Sequence, residues 1–217
     1  MEDLRIRLSR VDACAVSDAL DKLGLPGAVS GFHRYSTDRR ISGRVITVKL
    51  ERDDGRPAAS RHLSTAAVDG AHPGEVIVVE QRSGLDAAGW GGNLSLGAKV
   101  RGVAGVIVEG SMRDVDEARG CDFPVFARSH TTRTARGRIV ETGTNVPIAV
   151  GEVTVRPGDY VVADGSGVVF VAAGDIERVL EAAEAIAERE RRMVASLEDG
   201  TPMAQVMDAS YETMLKR

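Results

Sequence analysis

Cysteine is almost missing from this chain of 217 residues. It has two, Cys14 and Cys121, far apart and without CxxC spacing. That argues against a disulfide framework and a structural zinc site, and each cysteine is expected as a small core residue. Aromatic side chains make up only 4% of the sequence, too few for a platform that stacks nucleobases. No apolar run approaches the ~18 residues of a membrane span. The charged opening stretch, Met1-Glu2-Asp3-Leu4-Arg5, leads into no apolar segment, so no secretion signal is expected. No interaction with a membrane is predicted, and the expected location is cytoplasmic. Neither sign of charge dominates. With 28 Lys and Arg against 32 Asp and Glu, the net charge is −4. Composition forces no basic face, so nucleic acid is not an expected partner.

What the sequence does have is the ordinary content of one globular domain: 43% apolar and 28% charged residues, with enough length to bury a core. Its 24 glycines predict many tight turns. Val16, Ala19, Leu20 and Leu23 recur at helical spacing, with Asp12 or Ser17 as a cap and Gly24 and Pro26 as the stop. Residues 43–50 predict a strand with Ile46, Val48 and Leu50 on one face and Thr47 and Lys49 on the other. Residues 51–60 read as a surface loop. Four consecutive apolar residues at 76–79 follow a Pro-Gly turn and predict a strand buried on both faces. A second Pro-Gly turn, at Pro157-Gly158, launches a strand at 160–162.

Residues 93–100 look helical, with Leu94, Leu96, Ala98 and Val100 as inward candidates. Residues 102–110 predict a buried strand ending at Gly110, and 124–127 a short one. Three or four strands are expected between 147 and 172, the last two joined by a hairpin at 164–167. An amphipathic helix of about six turns is expected from Asp175. A final helix at 201–216, lined by Met203, Val206, Met207, Met214 and Leu215, has Thr201 as cap and Pro202 at its first position. The pattern is α/β, with no linker dividing 1–217.

Chemistry concentrates in residues 84–117. There Gly89-Trp90-Gly91-Gly92 opens a helix, whose first amides are free donors at its positive end. An adjacent pair, Arg113-Asp114, directly follows the buried strand, and strand ends of open α/β sheets face ligand crevices. Free amides and an arginine suit the carboxylate of an α-keto acid. An aspartate beside them suits a hard cation such as Mg²⁺. The histidines, His33, His62, His72 and His130, have no paired metal spacing and are expected on the surface or in loops. Arg128, Arg133, Arg136 and Arg138 form a local basic cluster, read either as a solvated loop or as an aid in recruiting an anionic substrate.

The stretch from Trp90-Gly91-Gly92-Asn93-Leu94 through 98–110 to Arg113-Asp114 resembles the class II pyruvate aldolases, a family that includes a regulator of ribonuclease E activity. The family spacing of glycine, twenty residues, Arg-Asp, two residues and an acid is met by Gly92, Arg113, Asp114 and Glu117. Residues 16–24, 155–159 and 164–169 resemble further blocks, and the likeness covers about 10–195. It implies a swivelling β/β/α domain, a central mixed sheet layered with helices and C-terminal helices. It also implies a homotrimer, or a dimer of trimers forming a homohexamer, with sites between subunits. Gly91, Gly92, Asn93, Leu94 and Arg113 would bind a small 2-oxo acid substrate. Arg113 would stabilise the pyruvate enolate, and Asp114 would hold Mg²⁺ or Mn²⁺. Glu190 is the best match to an acid that reaches a neighbouring subunit's site in the family. Gly92 departs from the pattern, because that position often carries an acid in family aldolases.

The activity implied is metal-dependent retro-aldol cleavage of a 4-hydroxy-2-oxo acid to pyruvate, with oxaloacetate decarboxylation through the same enolate. The alternative is a non-catalytic protein-binding regulator of a ribonuclease.

Overall fold

The computed structural model describes residues 3–55 and 61–207. In chain order the elements are helices α1 (Leu4–Ser9) and α2 (Ala13–Leu23), strands β1 (Ala28–Val29), β2 (His33–Arg34) and β3 (Ile41–Arg52), and α3 (Thr65–Gly70). Then come β4 (Val76–Gln81), β5 (Ala88–Trp90), α4 (Gly92–Val100), β6 (Gly105–Met112), α5 (Val115–Gly120) and β7 (Val125–His130). The chain continues through β8 (Ile139–Thr144), β9 (Ile148–Val150), β10 (Val153–Val155), β11 (Tyr160–Ala163) and β12 (Val168–Val171), ending in α6 (Ile176–Glu198) and α7 (Met203–Val206).

A ten-stranded mixed sheet runs in the order β1-β12-β11-β3-β4-β6-β7-β2, with β5 added beside β6 and β8 beside β3. The middle strands β3, β4, β6 and β7 are parallel, and β11, β12 and β1 are antiparallel additions on one side. The sheet curls because β3 is long enough to pair three ways. Its start lies against β11, its middle against β4 and its end against β8.

The period-two alternation of strand side chains distributes the apolar residues over three cores. Ile77 and Val79 of β4 and Val106 and Val108 of β6 point to a layer with α3, α4 and α5. Their neighbours Val76, Val78 and Ile107 point the other way, meeting Val161, Val168 and Phe170 inside the curl. Val162, Val169 and Val171 face outward again, onto α1, α2 and α6. Every one of Val76, Ile77, Val78 and Val79 is buried, as a strand covered on both faces requires. Thr47 is also buried, its hydroxyl donating to the Val146 carbonyl at 2.5 Å. The face of β3 expected to be polar is therefore covered too, at Thr47, by the chain after β8.

Several local expectations hold. Asp12 caps α2 by accepting from the Ala15 amide at 2.8 Å, and β11 and β12 form the antiparallel hairpin around 164–167. Others need correction. Leu96 and Val100 are 53% and 77% exposed, so only Ala98 and partly Leu94 turn inward from α4, joined by buried Ser95. Cys14 is exposed and Cys121 only partly covered. β8 and the short strands β1, β2 and β5 were not expected. β3 extends to Arg52, and residues 56–60 of the expected loop lie outside the described residues. Of the final helix only α7 is described, with Pro202 as its cap residue. Met214 and Leu215 lie outside the described residues, and Met203 and Met207 are exposed. No helix among the described residues is long and apolar enough to cross a membrane.

The layer of α1, α2 and α6 carries opposed electrostatics. Arg7 donates twice to Glu184, at 2.8 and 2.7 Å, and holds that carboxyl below its usual range. Further along α6, burial and then the charges of Asp12 and Asp18 raise Glu190 above its usual value. A carboxyl raised on folding favours the fold below its unfolded pKa, and that favour is lost as pH rises through the folded value. Glu190→Gln is therefore expected to raise Tm at pH 7 by about 1–2 °C, with the gain gone near pH 4. Glu184→Gln should lower Tm at pH 7. Calorimetric scans at the two pH values check both signs.

Candidate active site

The site is assembled where the parallel strands end. β6 does not stop at Gly110. It kinks there, with a register shift against β7 between Val108 and Ser111, and continues to Met112. Gly110 has φ 152°, and a Cβ on it would sit 2.7 Å from the Gln81 carbonyl oxygen. The kink therefore requires glycine. Beyond it β6 pairs with β5, and the Arg113 amide donates to the Trp90 carbonyl at 3.0 Å. This brings the glycine-rich turn and the Arg-Asp pair side by side.

Trp90 anchors the turn. Its indole is buried, stacks on Phe123 at 6.5 Å and donates to the Ser95 hydroxyl at 2.9 Å. Ser95 in turn donates to the Gly91 carbonyl at 3.1 Å. Gly91 is the N-cap of α4 and lacks a capping side chain. Asp114 supplies that function from another segment, its Oδ2 accepting from the Gly92 amide at 3.0 Å. The same oxygen lies 3.4 Å from Arg113 Nε. Asp114 sits in the left-handed region, φ 57° and ψ 47°, a conformation that costs a non-glycine residue about 1–2 kcal/mol and aims its carboxylate back at the turn. The next amides, of Asn93 and Leu94, belong to the first turn of α4 and have no carbonyl partner within the helix.

Gly91, Gly92, Asn93, Leu94, Arg113 and Asp114 line one cavity of about 110 Å³. Six of the seven residues singled out from the sequence thus come together in a single cleft. Arg113 and Asp114 are 37% and 34% exposed, open enough to meet a solute. The seventh, Glu190, lies on α6 beside Asp12 and Asp18 and is not among the residues lining this cleft within one chain.

The opposite wall was largely missed. His62 and Leu63 come from the segment before α3, and Thr134, Ala135 and Arg136 from the loop after β7. The arginines of β7 and of that loop are not one cluster. Arg128 pairs with Glu109 at 2.8 Å and lies over the Phe32 ring, while Arg133 pairs with Asp86 at 3.2 Å. Arg138 donates to the Thr134 carbonyl at 3.1 Å. Only the recruiting role suggested for this basic stretch hinted at Arg136.

For a cation, the donor set is small. No group of three or more His, Cys, Asp or Glu side chains among the described residues is gathered to hold a metal. The cleft offers Asp114, whose Oδ1 has no protein partner among the described residues, with Glu117 following on α5. One or two carboxylates with waters completing the shell is the pattern of Mg²⁺, so these residues fit a hard divalent ion.

The fold is that of a known class. The RraA-like family, described as Aldolase/RraA, matches residues 13–170, and the chain belongs to that family. A protein of Halalkalibacterium halodurans named "Putative 4-hydroxy-4-methyl-2-oxoglutarate aldolase" is 32% identical over 183 residues, covering 84% of this chain and 82% of that one. Protein DlpA of Legionella pneumophila is 27% identical over 98% of this chain, which spans only 34% of DlpA. Among solved structures, an uncharacterized protein from Pseudomonas syringae superposes with a TM-score of 0.83 at 28% identity, covering 94% of this chain and 96% of that one. RraAS2 of Streptomyces coelicolor, described as an unusual member of the RNase ES inhibitor RraA protein family, gives 0.76 at 26% identity and covers 87% and 93%. The expected family and the layered mixed sheet are both shown. The relatives' names include both putative aldolase and ribonuclease inhibitor, and others name neither.

The packing leaves no room for a side chain at Gly92. A Cβ on residue 92 would lie 2.8 Å from Glu117 Cβ and 3.1 Å from Asp114 Cβ, so the volume of a side chain there is already filled. Gly92→Ala is expected to cost about 1–3 kcal/mol in denaturant unfolding. Glu117→Ala should not rescue it, because the conflicting Cβ remains.

Proposed function

We propose that this protein is a divalent-metal-dependent lyase that cleaves a 4-hydroxy-2-oxo acid to pyruvate and decarboxylates oxaloacetate at the same site. The observation that carries this reading is the convergence of the Arg113 guanidinium and the free Asn93 and Leu94 amides on one cleft. The amides receive the substrate carboxylate at the positive end of α4. Arg113, a planar fork, spans carboxylate and keto oxygen. In cleavage the C3–C4 bond breaks and its electron pair moves onto the keto oxygen as an enolate. The C4 hydroxyl loses its proton as it becomes a carbonyl, and C3 takes up a proton to give pyruvate. In decarboxylation the C4 carboxylate leaves as CO₂ and the same enolate forms. Arg113 meets charge that develops only as the bond breaks, which lowers the barrier rather than merely tightening binding.

Asp114, with Glu117 through water, would hold Mg²⁺ or Mn²⁺, which when bound supplies Lewis acidity toward the keto oxygen. A Schiff-base route lacks support. No lysine is among the cleft residues, and Lys99 donates to the Cys121 carbonyl at 2.5 Å. Self-association as a trimer or a dimer of trimers belongs to the same reading, with Glu190 reaching a neighbouring site. The exposed Leu96 and Val100 on α4 support association. The second reading, a non-catalytic regulator that binds a ribonuclease, draws support from the likeness to RraA structures. The cleft favours the enzyme, since masking a partner needs neither free amides nor a paired arginine inside a cavity.

The test is oxaloacetate decarboxylation and pyruvate methyl-proton exchange, each with Mg²⁺ or Mn²⁺ and then EDTA. Activity should vanish in EDTA and return with metal. Persistence in EDTA, or trapping by borohydride, would refute the metal mechanism. Arg113→Lys should keep the fold by circular dichroism and lose about a hundredfold in kcat, on the order of 3 kcal/mol. A near-normal kcat would reduce Arg113 to a surface ion pair.

A further inference from the structure

The wall opposite Arg113 carries an exposed histidine on a firmly held backbone. His62 and Leu63 line the cleft of about 110 Å³ together with Arg113, Asp114, Asn93 and Leu94. The His62 carbonyl accepts twice from Thr65, from the hydroxyl at 2.7 Å and from the amide at 3.3 Å. Leu63 packs against the core cluster that includes Ala67 and Val68 of α3. The Ser64 amide donates to Glu141 Oε2 at 2.6 Å, and Glu141 Oε1 accepts from the Thr144 hydroxyl.

This placement is strained. Ser64 is fully buried with φ 64°, and its hydroxyl has no partner among the described residues. A left-handed backbone and an unmatched buried hydroxyl are both unfavourable outside glycine. Starting α3 requires neither, since an extended backbone at Ser64 would let the hydroxyl cap the helix in the ordinary way. That backbone would send the residues before Ser64 in another direction. The strain therefore goes with the position of His62.

The ring is fixed in one tautomer. Its Nδ1 accepts from the Leu63 amide at 2.9 Å. An amide N–H only donates, so Nδ1 holds the lone pair and the proton of the neutral ring is on Nε2. Such a ring has no lone pair left with which to take a proton. It offers one aimed donor. A neutral imidazole held through Nδ1 by a backbone amide acts as an electrophile toward a reacting oxygen. Arg136 stands on the same wall, but no hydrogen bond from its guanidinium occurs among the described residues, so nothing fixes where it points.

We propose that His62 is a catalytic residue of the carbon–carbon cleavage, donating from Nε2 to the C4 oxygen. This rests on the lyase reading above, in which Arg113 and the α4 amides hold the keto acid end. The C4 oxygen of the same small molecule then lies toward the opposite wall. That oxygen loses its proton to solvent water, passes through an alkoxide and becomes a carbonyl as the C3–C4 bond breaks. C3 is protonated from solvent water. The Nε2 proton stays on nitrogen throughout and stabilises the alkoxide. Decarboxylation creates no alkoxide at C4, since charge already on the carboxylate is dispersed as CO₂ leaves. The two reactions therefore differ in their need for His62.

The test compares cleavage of 4-hydroxy-4-methyl-2-oxoglutarate, the aldol dimer of pyruvate, with decarboxylation of oxaloacetate, both on the full chain with Mg²⁺. In His62→Ala, shown folded by circular dichroism, kcat for cleavage should fall about a hundredfold relative to kcat for decarboxylation, as expected for the loss of one donor to an oxyanion. His62→Gln, which returns an N–H donor near the position of Nε2, should recover about tenfold of that ratio. Histidine ¹⁵N resonances of the native protein, assigned to His62 by their loss in His62→Ala, should show Nε2 protonated and Nδ1 bare. A ratio unchanged in His62→Ala, a glutamine variant no better than alanine, or a proton on Nδ1 would overturn the role. So would a native protein that decarboxylates without cleaving. A native protein that does neither removes the lyase reading itself, and the part of His62 with it.

Discussion

The Gly92 amide meets the Asp114 carboxylate at 3.0 Å, and most of the cleft depends on that bond. It closes the open end of α4 with a side chain borrowed from a segment twenty-two residues on, a separation the hydrogen bond itself spans. Asp114 can reach the amide because its own backbone adopts the left-handed region. That strain is tolerable because the Arg113 amide is fixed on the Trp90 carbonyl and Trp90 is fixed in the core. The glycines are consequences of the same approach. A side chain at 91 would collide with the Asp114 carboxylate, and one at 92 with Glu117. One carboxylate therefore caps a helix, orients an arginine and keeps an oxygen free for a ligand.

The layered sheet explains why the cleft is where it is. Parallel strands buried on both faces need cover on both sides. Here α3, α4 and α5 supply one side, and the curled antiparallel half of the sheet supplies the other. With both faces sealed, strand ends are what remain accessible, and β5 and β6 deliver the glycine turn and the Arg-Asp pair there together. The loop after β7 and the segment before α3 then form the far wall. The loop after β7 is held by hydrogen bonds to these same strand ends, and the segment before α3 by the Ser64 amide on Glu141 of β8, so the sheet sets the distance between the two arginine-bearing walls.

The helical layer over β11 and β12 is electrostatically different. Arg7 and Glu184 satisfy each other, whereas Asp12, Asp18 and Glu190 crowd like charge around partly buried carboxyls. Stability set aside in this way at neutral pH is common where side chains serve more than packing. Within one chain Glu190 is turned toward α2, so any part it plays at the cleft depends on another subunit.

The sequence alone was enough to place β4 and β6, the helices α2, α4 and α6, the β11–β12 hairpin and the residues of the near wall. Each of those is a local signal: a four-residue apolar run, a helical period, a cap, or a glycine turn close to an Arg-Asp pair. Tertiary structure decided the rest. Leu96 and Val100 keep the helical period yet face outward, since periodicity gives a face and not what covers it. Thr47 is buried because the chain after β8 crosses it, a contact ninety-nine residues apart that no window contains. His62 and Arg136 have no motif. They join Arg113 only because the loop after β7 is pinned to the β5 and β6 ends and the segment before α3 to Glu141 of β8, and the strength of a charge in a cleft depends on which neighbours are already engaged, which only the folded chain determines.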